Sequence, residues 1–170
     1  MDLLWEHRKK FFACLGVLST LALGLLSGQA QAATAATTFS VTATMMPNCT
    51  ISATNLAFGS YTTALVDATS TISVTCTKST TYNVGLNAGA STGATVTTRK
   101  MTGPGGDTLA YALYQDSAHT INWGNTVGTD TVSGTGNGSA QTLTVYGEVP
   151  AGQVVTPGAY TDTITATITY

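Results

Sequence analysis

Between Thr38 and Met45 the chain alternates without exception. Phe39, Val41, Ala43 and Met45 fall on one side of an extended backbone, and Thr38, Ser40, Thr42 and Thr44 fall on the other. A strict period of two is the pattern of a half-buried β-strand, because successive side chains of a strand point to opposite faces. Pro47-Asn48 breaks it, so this strand stands apart from the domain that begins at Cys49. The far end of the chain repeats the pattern through Tyr160, Ile164, Ala166, Ile168 and Tyr170. A detached strand in front, and a final strand with no partner following it, predict that the first strand belongs in another copy of the protein.

What precedes residue 33 reads as a secretory leader. Arg8, Lys9 and Lys10 form a positive n-region, Phe11 to Leu26 is apolar and uncharged, and Ala30-Gln31-Ala32 supplies a small-residue exit. Cleavage is expected after Ala32. The apolar run falls short of the roughly 20 residues that a membrane span needs.

Residues 33–170 are enough for a single hydrophobic core. They carry three basic residues, Lys78, Arg99 and Lys100, against Asp67, Asp107, Asp116, Asp130, Glu148 and Asp162, a net charge of −3. So few charges, with no basic patch, argue against nucleic acid and against anionic membrane surfaces. About a quarter of these residues are threonine and glycine is frequent, a composition of strands and turns. No helical period follows residue 33.

Two cysteines remain beyond the leader, Cys49 and Cys76. An even pair in an exported chain predicts one disulfide, which would stabilise the fold by roughly 3–4 kcal/mol through loop closure. Short alternating runs follow one another: Cys49 to Phe58; Ile72, Val74 and Cys76; Tyr82, Val84, Leu86 and Ala88; then Leu143 and Val145. Leu109 to Tyr114 is apolar on both faces, and Gly103-Pro104-Gly105-Gly106 is a loop. Many short strands at this spacing predict an all-β antiparallel sandwich.

An ordered set of segments then gives a specific likeness. Asn48-Cys49-Thr50-Ile51-Ser52-Ala53, Phe58-Gly59-Ser60-Tyr61, Val74-Thr75-Cys76, Leu109-Ala110-Tyr111, Trp123-Gly124, Leu143-Thr144-Val145-Tyr146-Gly147 and Pro157-Gly158-Ala159-Tyr160-Thr161-Asp162 lie along the whole chain beyond the leader. Together they resemble the spore coat protein U domain, the subunit of archaic, Csu-like chaperone–usher pili. The resemblance implies an incomplete immunoglobulin-like sandwich whose missing strand comes first from a periplasmic chaperone and then from the next subunit. It assigns residues 33–47 to a donor strand extension and residues 48–170 to the sandwich. The implied donor residues are Phe39, Val41, Ala43 and Met45. The implied acceptor strand carries Tyr160, Ile164, Ala166, Ile168 and Tyr170. Implied partners are further pilin subunits, a periplasmic chaperone and an outer-membrane usher, and the implied location is the cell surface.

The physical basis is general. A sandwich lacking one strand exposes an apolar groove and an unpaired backbone edge, and an added extended peptide supplies hydrogen bonds and fills pockets. Enzymatic readings are weaker. His119 sits in the polar turn Ser117-Ala118-His119-Thr120 and is expected to be exposed, the acids are scattered singly, and no catalytic residue, cofactor or metal site is expected. Gly134-Thr135-Gly136-Asn137-Gly138 is expected to be a flexible hairpin or a surface loop, since no helix follows it to bind a phosphate. Trp123 is expected in the core or at an inter-subunit contact, the alternative being a carbohydrate platform with Tyr111 and Tyr114. The competing functions are a secreted coat protein and a monomeric carbohydrate-binding sandwich.

Overall fold

A computed structural model describes residues 31–170; the leader, up to residue 30, lies outside the described residues. The chain divides into one unit ending at Thr42 and a second running from Ala43 to Tyr170. Eight strands build the second unit: β1 (Cys49–Ala53), β2 (Val66–Cys76), β3 (Thr81–Leu86), β4 (Arg99–Thr102), β5 (Thr108–Tyr114), β6 (Val132–Thr135), β7 (Ala140–Val149) and β8 (Ala166–Thr169). They form a five-stranded sheet in the order β1-β2-β7-β5-β4 and a three-stranded sheet in the order β6-β3-β8, and every pairing is antiparallel. This is the antiparallel sandwich that the alternation predicts, of the immunoglobulin-like kind that the resemblance implies.

The period of two decides which side chains meet between the sheets. Ile72, Val74 and Cys76 of β2 are buried with Tyr82, Val84 and Leu86 of β3. Leu109, Tyr111 and Leu113 of β5 and Val145 and Val149 of β7 join them. Ala112 is buried on the other face of β5, so that strand is covered on both sides as its composition suggests. Cys49 and Cys76 face each other in register at one end of β1–β2 and form the disulfide.

Gly147 of β7 has a structural reason. A Cβ there would lie 2.9 Å from both Leu56 Cδ1 and Phe58 Cζ, so the bare backbone lets these side chains cross the strand. Phe58 then meets Tyr111 edge-on, with ring centroids 5.9 Å apart.

The interior also holds a cation. Arg99, at 0% exposure, donates from Nε to the Asn87 carbonyl (2.8 Å) and from Nη1 to Val96 (2.6 Å). Nη2 serves Leu86 (3.0 Å) and Trp123 (2.6 Å). One guanidinium thereby satisfies four carbonyls that irregular backbone would leave unpaired, which a buried loop requires. Trp123 is 1% exposed and its indole N–H donates to the Val84 carbonyl at 2.8 Å. It is a core residue and offers no face to a sugar.

Three expectations are corrected. The final strand is shorter than Tyr160–Tyr170: an isolated bridge at Thr161 is followed by strand only at Ala166–Thr169. The cause is side-chain competition for the backbone. Asp162 Oδ1 takes the amides of Ala90 and Thr163, and Asn87 Oδ1 takes that of Thr165, so the ladder starts late. Gly134 is in β6 rather than a loop, where a Cβ would strike the Tyr82 ring. Gly136 is buried beside Cys76.

Candidate functional site

Each sheet has one edge strand at the same side of the sandwich. β1 ends the five-stranded sheet and β8 ends the three-stranded one; they lie alongside each other, and no ladder joins them. Their outward N–H and C=O groups therefore have no strand partner among the described residues. Between these edges the interior is only partly covered. Ile51 of β1 and Ile164, Ala166 and Ile168 near the end of the chain pack on the core while remaining half-buried.

A separate cleft of about 720 Å³ is lined by the 56–63 and 153–160 segments with Met101, Leu109 and Val149. Leu56 and Phe58 form one wall, Val155 and Tyr160 the other, and Leu109 and Val149 the floor. The floor residues are 5% and 0% exposed, so this cleft reaches the core itself.

The walls are held by polar clamps. Gln153 uses its side-chain amide as a strand would, accepting from the Ala110 amide (2.7 Å) and donating to the Ala110 carbonyl (2.9 Å). The Tyr61 hydroxyl donates to the Pro150 carbonyl at 2.8 Å and accepts from the Gln153 amide at 2.9 Å. Tyr160 reaches across to donate to the Thr156 carbonyl at 2.7 Å, its ring lying where a side chain on Gly103 would be. Asp162 Oδ2 accepts the Tyr111 hydroxyl at 2.8 Å, tying the approach to β8 to the core. Burial, then the adjacent Asp162 carboxylate, pushes the Tyr111 hydroxyl well above its ordinary range, which keeps it a donor.

Asp107 pins the outer wall. Its Oδ2 accepts the amide (3.0 Å) and the hydroxyl of Thr156, and these bonds lower its carboxyl below the ordinary 3.8. A depressed carboxylate contributes stability above its ordinary value and loses it as pH falls through the lowered one. Acidification below about 4 should therefore loosen the 153–158 wall. Hydrogen exchange at the Thr156 amide should accelerate beyond its intrinsic pH dependence, and Asp107→Ala should show that acceleration already at neutral pH. Equal protection in the variant would remove Asp107 from this role.

The five positions expected to form the acceptor strand lie as follows. Ile164, Ala166 and Ile168 share one inward face; Tyr160 lines the cleft; Tyr170 is 55% exposed beside Met45, Met46 and Pro47. Phe39, Val41 and Met45 are 85%, 83% and 80% exposed, Ala43 is exposed as well, and residues 38–45 have no regular secondary structure. Sequence reasoning missed Gln153, Asp107 and Arg99. Most of their hydrogen bonds go to groups distant in sequence that the fold brings close, and no residue pattern announces them.

His119 is a further correction. It is not an exposed loop side chain but 18% exposed, against the rings of Tyr114 and Tyr146. Nor are all the acids solitary: register sets Asp67 opposite Glu148, with His119 Nδ1 4.0 Å and 3.6 Å from their oxygens.

The profile of the Spore Coat Protein U domain matches residues 35–167. The chain belongs to that family. The Spore Coat Protein U domain is structural rather than enzymatic. Over 158 residues the chain is 37% identical to Protein U of Myxococcus xanthus, covering 83% of this chain and 88% of that protein. Among solved structures it is similar to a chain of the CsuC–CsuE chaperone–tip adhesion subunit pre-assembly complex of archaic chaperone–usher Csu pili from Acinetobacter baumannii. The TM-score is 0.58 at 23% identity, over 75% of this chain and 41% of that one. The domain thus spans well under half of the solved chain, and the likeness is one of fold.

Proposed function

We propose that this chain is a structural subunit of a surface pilus assembled by donor-strand complementation. The observation that carries the reading is the gap between β1 and β8, two unpaired edges that lie alongside each other over the half-buried Ile51, Ile164, Ala166 and Ile168. An extended segment with apolar residues at every second position would complete both its hydrogen bonding and its packing. Phe39, Val41, Ala43 and Met45 have that spacing. In this reading a strand of a periplasmic chaperone first fills the gap between β1 and β8, an outer-membrane usher catalyses exchange, and the 33–47 extension of the next subunit replaces the chaperone's strand. The resulting homopolymer on the cell surface serves adhesion and biofilm formation. The solved complex pairs a pilus subunit with its chaperone, and the shared fold supports the same order of events here.

Producing the full chain with its chaperone and usher in a host lacking pili tests this. Surface fibres should be visible by electron microscopy, and omitting the chaperone should lead to degradation of the subunit. A chain that folds to a stable monomer without the chaperone contradicts the proposal.

The likeness to Protein U favours a second reading, deposition as a coat around a resting cell by the same strand exchange. Labelled antibody on growing and resting cells separates the two, marking filaments in the first case and a continuous layer in the second.

A further inference from the structure

On the face of the five-stranded sheet turned away from the core, Asp67 of β2 stands directly opposite Glu148 of β7. Like charges in a directly opposed cross-strand pair are destabilising. No hydrogen bond among the described residues reaches either carboxylate. Among the described residues no lysine or arginine pairs with either carboxylate, and Arg99 is buried with its donors on four carbonyls. The group that faces them is the His119 imidazole, with Nδ1 3.6 Å from Glu148 Oε2 and 4.0 Å from Asp67 Oδ1.

The imidazole is held in place. His119 has a positive φ of 53°, a left-handed conformation that is uncommon outside glycine and is kept only where its surroundings enforce it. Asp116 does the enforcing: its carboxylate accepts the amides of Thr120 (3.1 Å) and Ile121 (2.8 Å) and the Thr120 hydroxyl (2.7 Å), while its carbonyl accepts the His119 amide (3.2 Å). The ring then lies 5.1 Å from that of Tyr114 and 6.4 Å from that of Tyr146. A strained turn thus aims one nitrogen at two opposed carboxylates.

We infer that Asp67, His119 and Glu148 form a binding site for a divalent transition cation, with Zn²⁺ as the ion whose preferences fit best. The three candidate ligand atoms lie within 4.8 Å of one another. Bonds of about 2.0–2.1 Å around tetrahedral zinc place ligand atoms roughly 3.3 Å apart, so small side-chain rotations close the set. One imidazole nitrogen with two carboxylate oxygens suits zinc, whereas calcium and magnesium select all-oxygen surroundings. The cation would offset the repulsion between the opposed acids and link β2, β7 and the 116–121 turn. Asp67, whose side chain is 51% exposed, leaves an entry path and room for water as the fourth ligand.

The test uses the untagged chain in its chaperone-bound, folded form, stripped with a chelator, with the chaperone alone as the blank. Calorimetry with Zn²⁺ at neutral pH should show saturation at one ion per chain, with a rise in Tm that Mg²⁺ does not give. Co²⁺ in its place should give visible absorption bands of a tetrahedral site. His119→Ala should weaken Zn²⁺ binding by about tenfold or more. The near-isosteric Asp67→Asn and Glu148→Gln should do the same, and because they also relieve the repulsion they keep the test open if His119→Ala folds poorly. The inference is overturned if the wild-type chain shows no saturable Zn²⁺ binding, or if the folded variants bind as the wild type does.

Discussion

Val41→Asp should yield a folded, chaperone-bound subunit that builds few or no surface fibres. Val41 is 83% exposed. Once Phe39, Val41, Ala43 and Met45 enter the gap between β1 and β8 of a neighbour, position 41 faces apolar side chains such as Ile51, Ile164 and Ile168. An unpaired carboxylate there costs several kcal/mol unless it takes up a proton. The loss falls on polymerisation and leaves subunit folding alone. Thr42→Asp, on the opposite side of the strand, should be much milder. Pull-down with the chaperone and counting of fibres by electron microscopy measure the two effects separately. Degradation of Val41→Asp before it reaches the chaperone would place the strand in its own domain.

The second large effect lies in the core. Trp123→Ala should destabilise the subunit by about 3–5 kcal/mol, the usual cost of emptying a buried aromatic site. Total stabilities of domains are about 5–15 kcal/mol, so much of the margin goes. The indole also donates to the Val84 carbonyl in the centre of β3, and its removal leaves that acceptor buried beside a cavity. The yield of folded subunit should fall, and the midpoint of urea unfolding should drop for whatever is recovered. Normal folding combined with loss of glycan binding would instead support the carbohydrate reading.

How far the sequence carried this account depends on where its signals are local. Ile72-Val74-Cys76 and Tyr82-Val84-Leu86 announce their strands by alternation, and the buried faces of β2 and β3 are those same residues. Leu109–Tyr114 is legible for the opposite reason, being apolar on both sides. β4 was hidden because Arg99-Lys100 reads as surface, although Arg99 is fully buried on carbonyls supplied by three separate segments. β6 was hidden because Gly134 reads as loop, whereas the missing side chain makes room for Tyr82. The late start of β8 depends on Asp162 and Asn87, whose competition with the ladder is set by tertiary placement. Of the site, the spacing of Phe39 to Met45 and of Ile164 to Ile168 was readable. The clamps from Gln153, Asp107 and Tyr61 were not, because each joins residues distant in sequence. The opposition of Asp67 and Glu148 follows from register alone.

The central claim is that the 38–45 segment of one subunit lies beside β8 of another. Thr42 falls on the polar side of the donor pattern, and Thr163, Thr165, Thr167 and Thr169 are the exposed positions along the end of the chain. Thr42→Cys combined in turn with a cysteine at each of these four samples the possible registers, since a disulfide forms only when Cα atoms come within about 4.4–6.8 Å. On a non-reducing gel of oxidised fibres, one register should give a ladder of covalent multimers that collapses on reduction. Cross-links confined to single chains, or no cross-link at any register in intact fibres, would contradict donation of this strand to a neighbour.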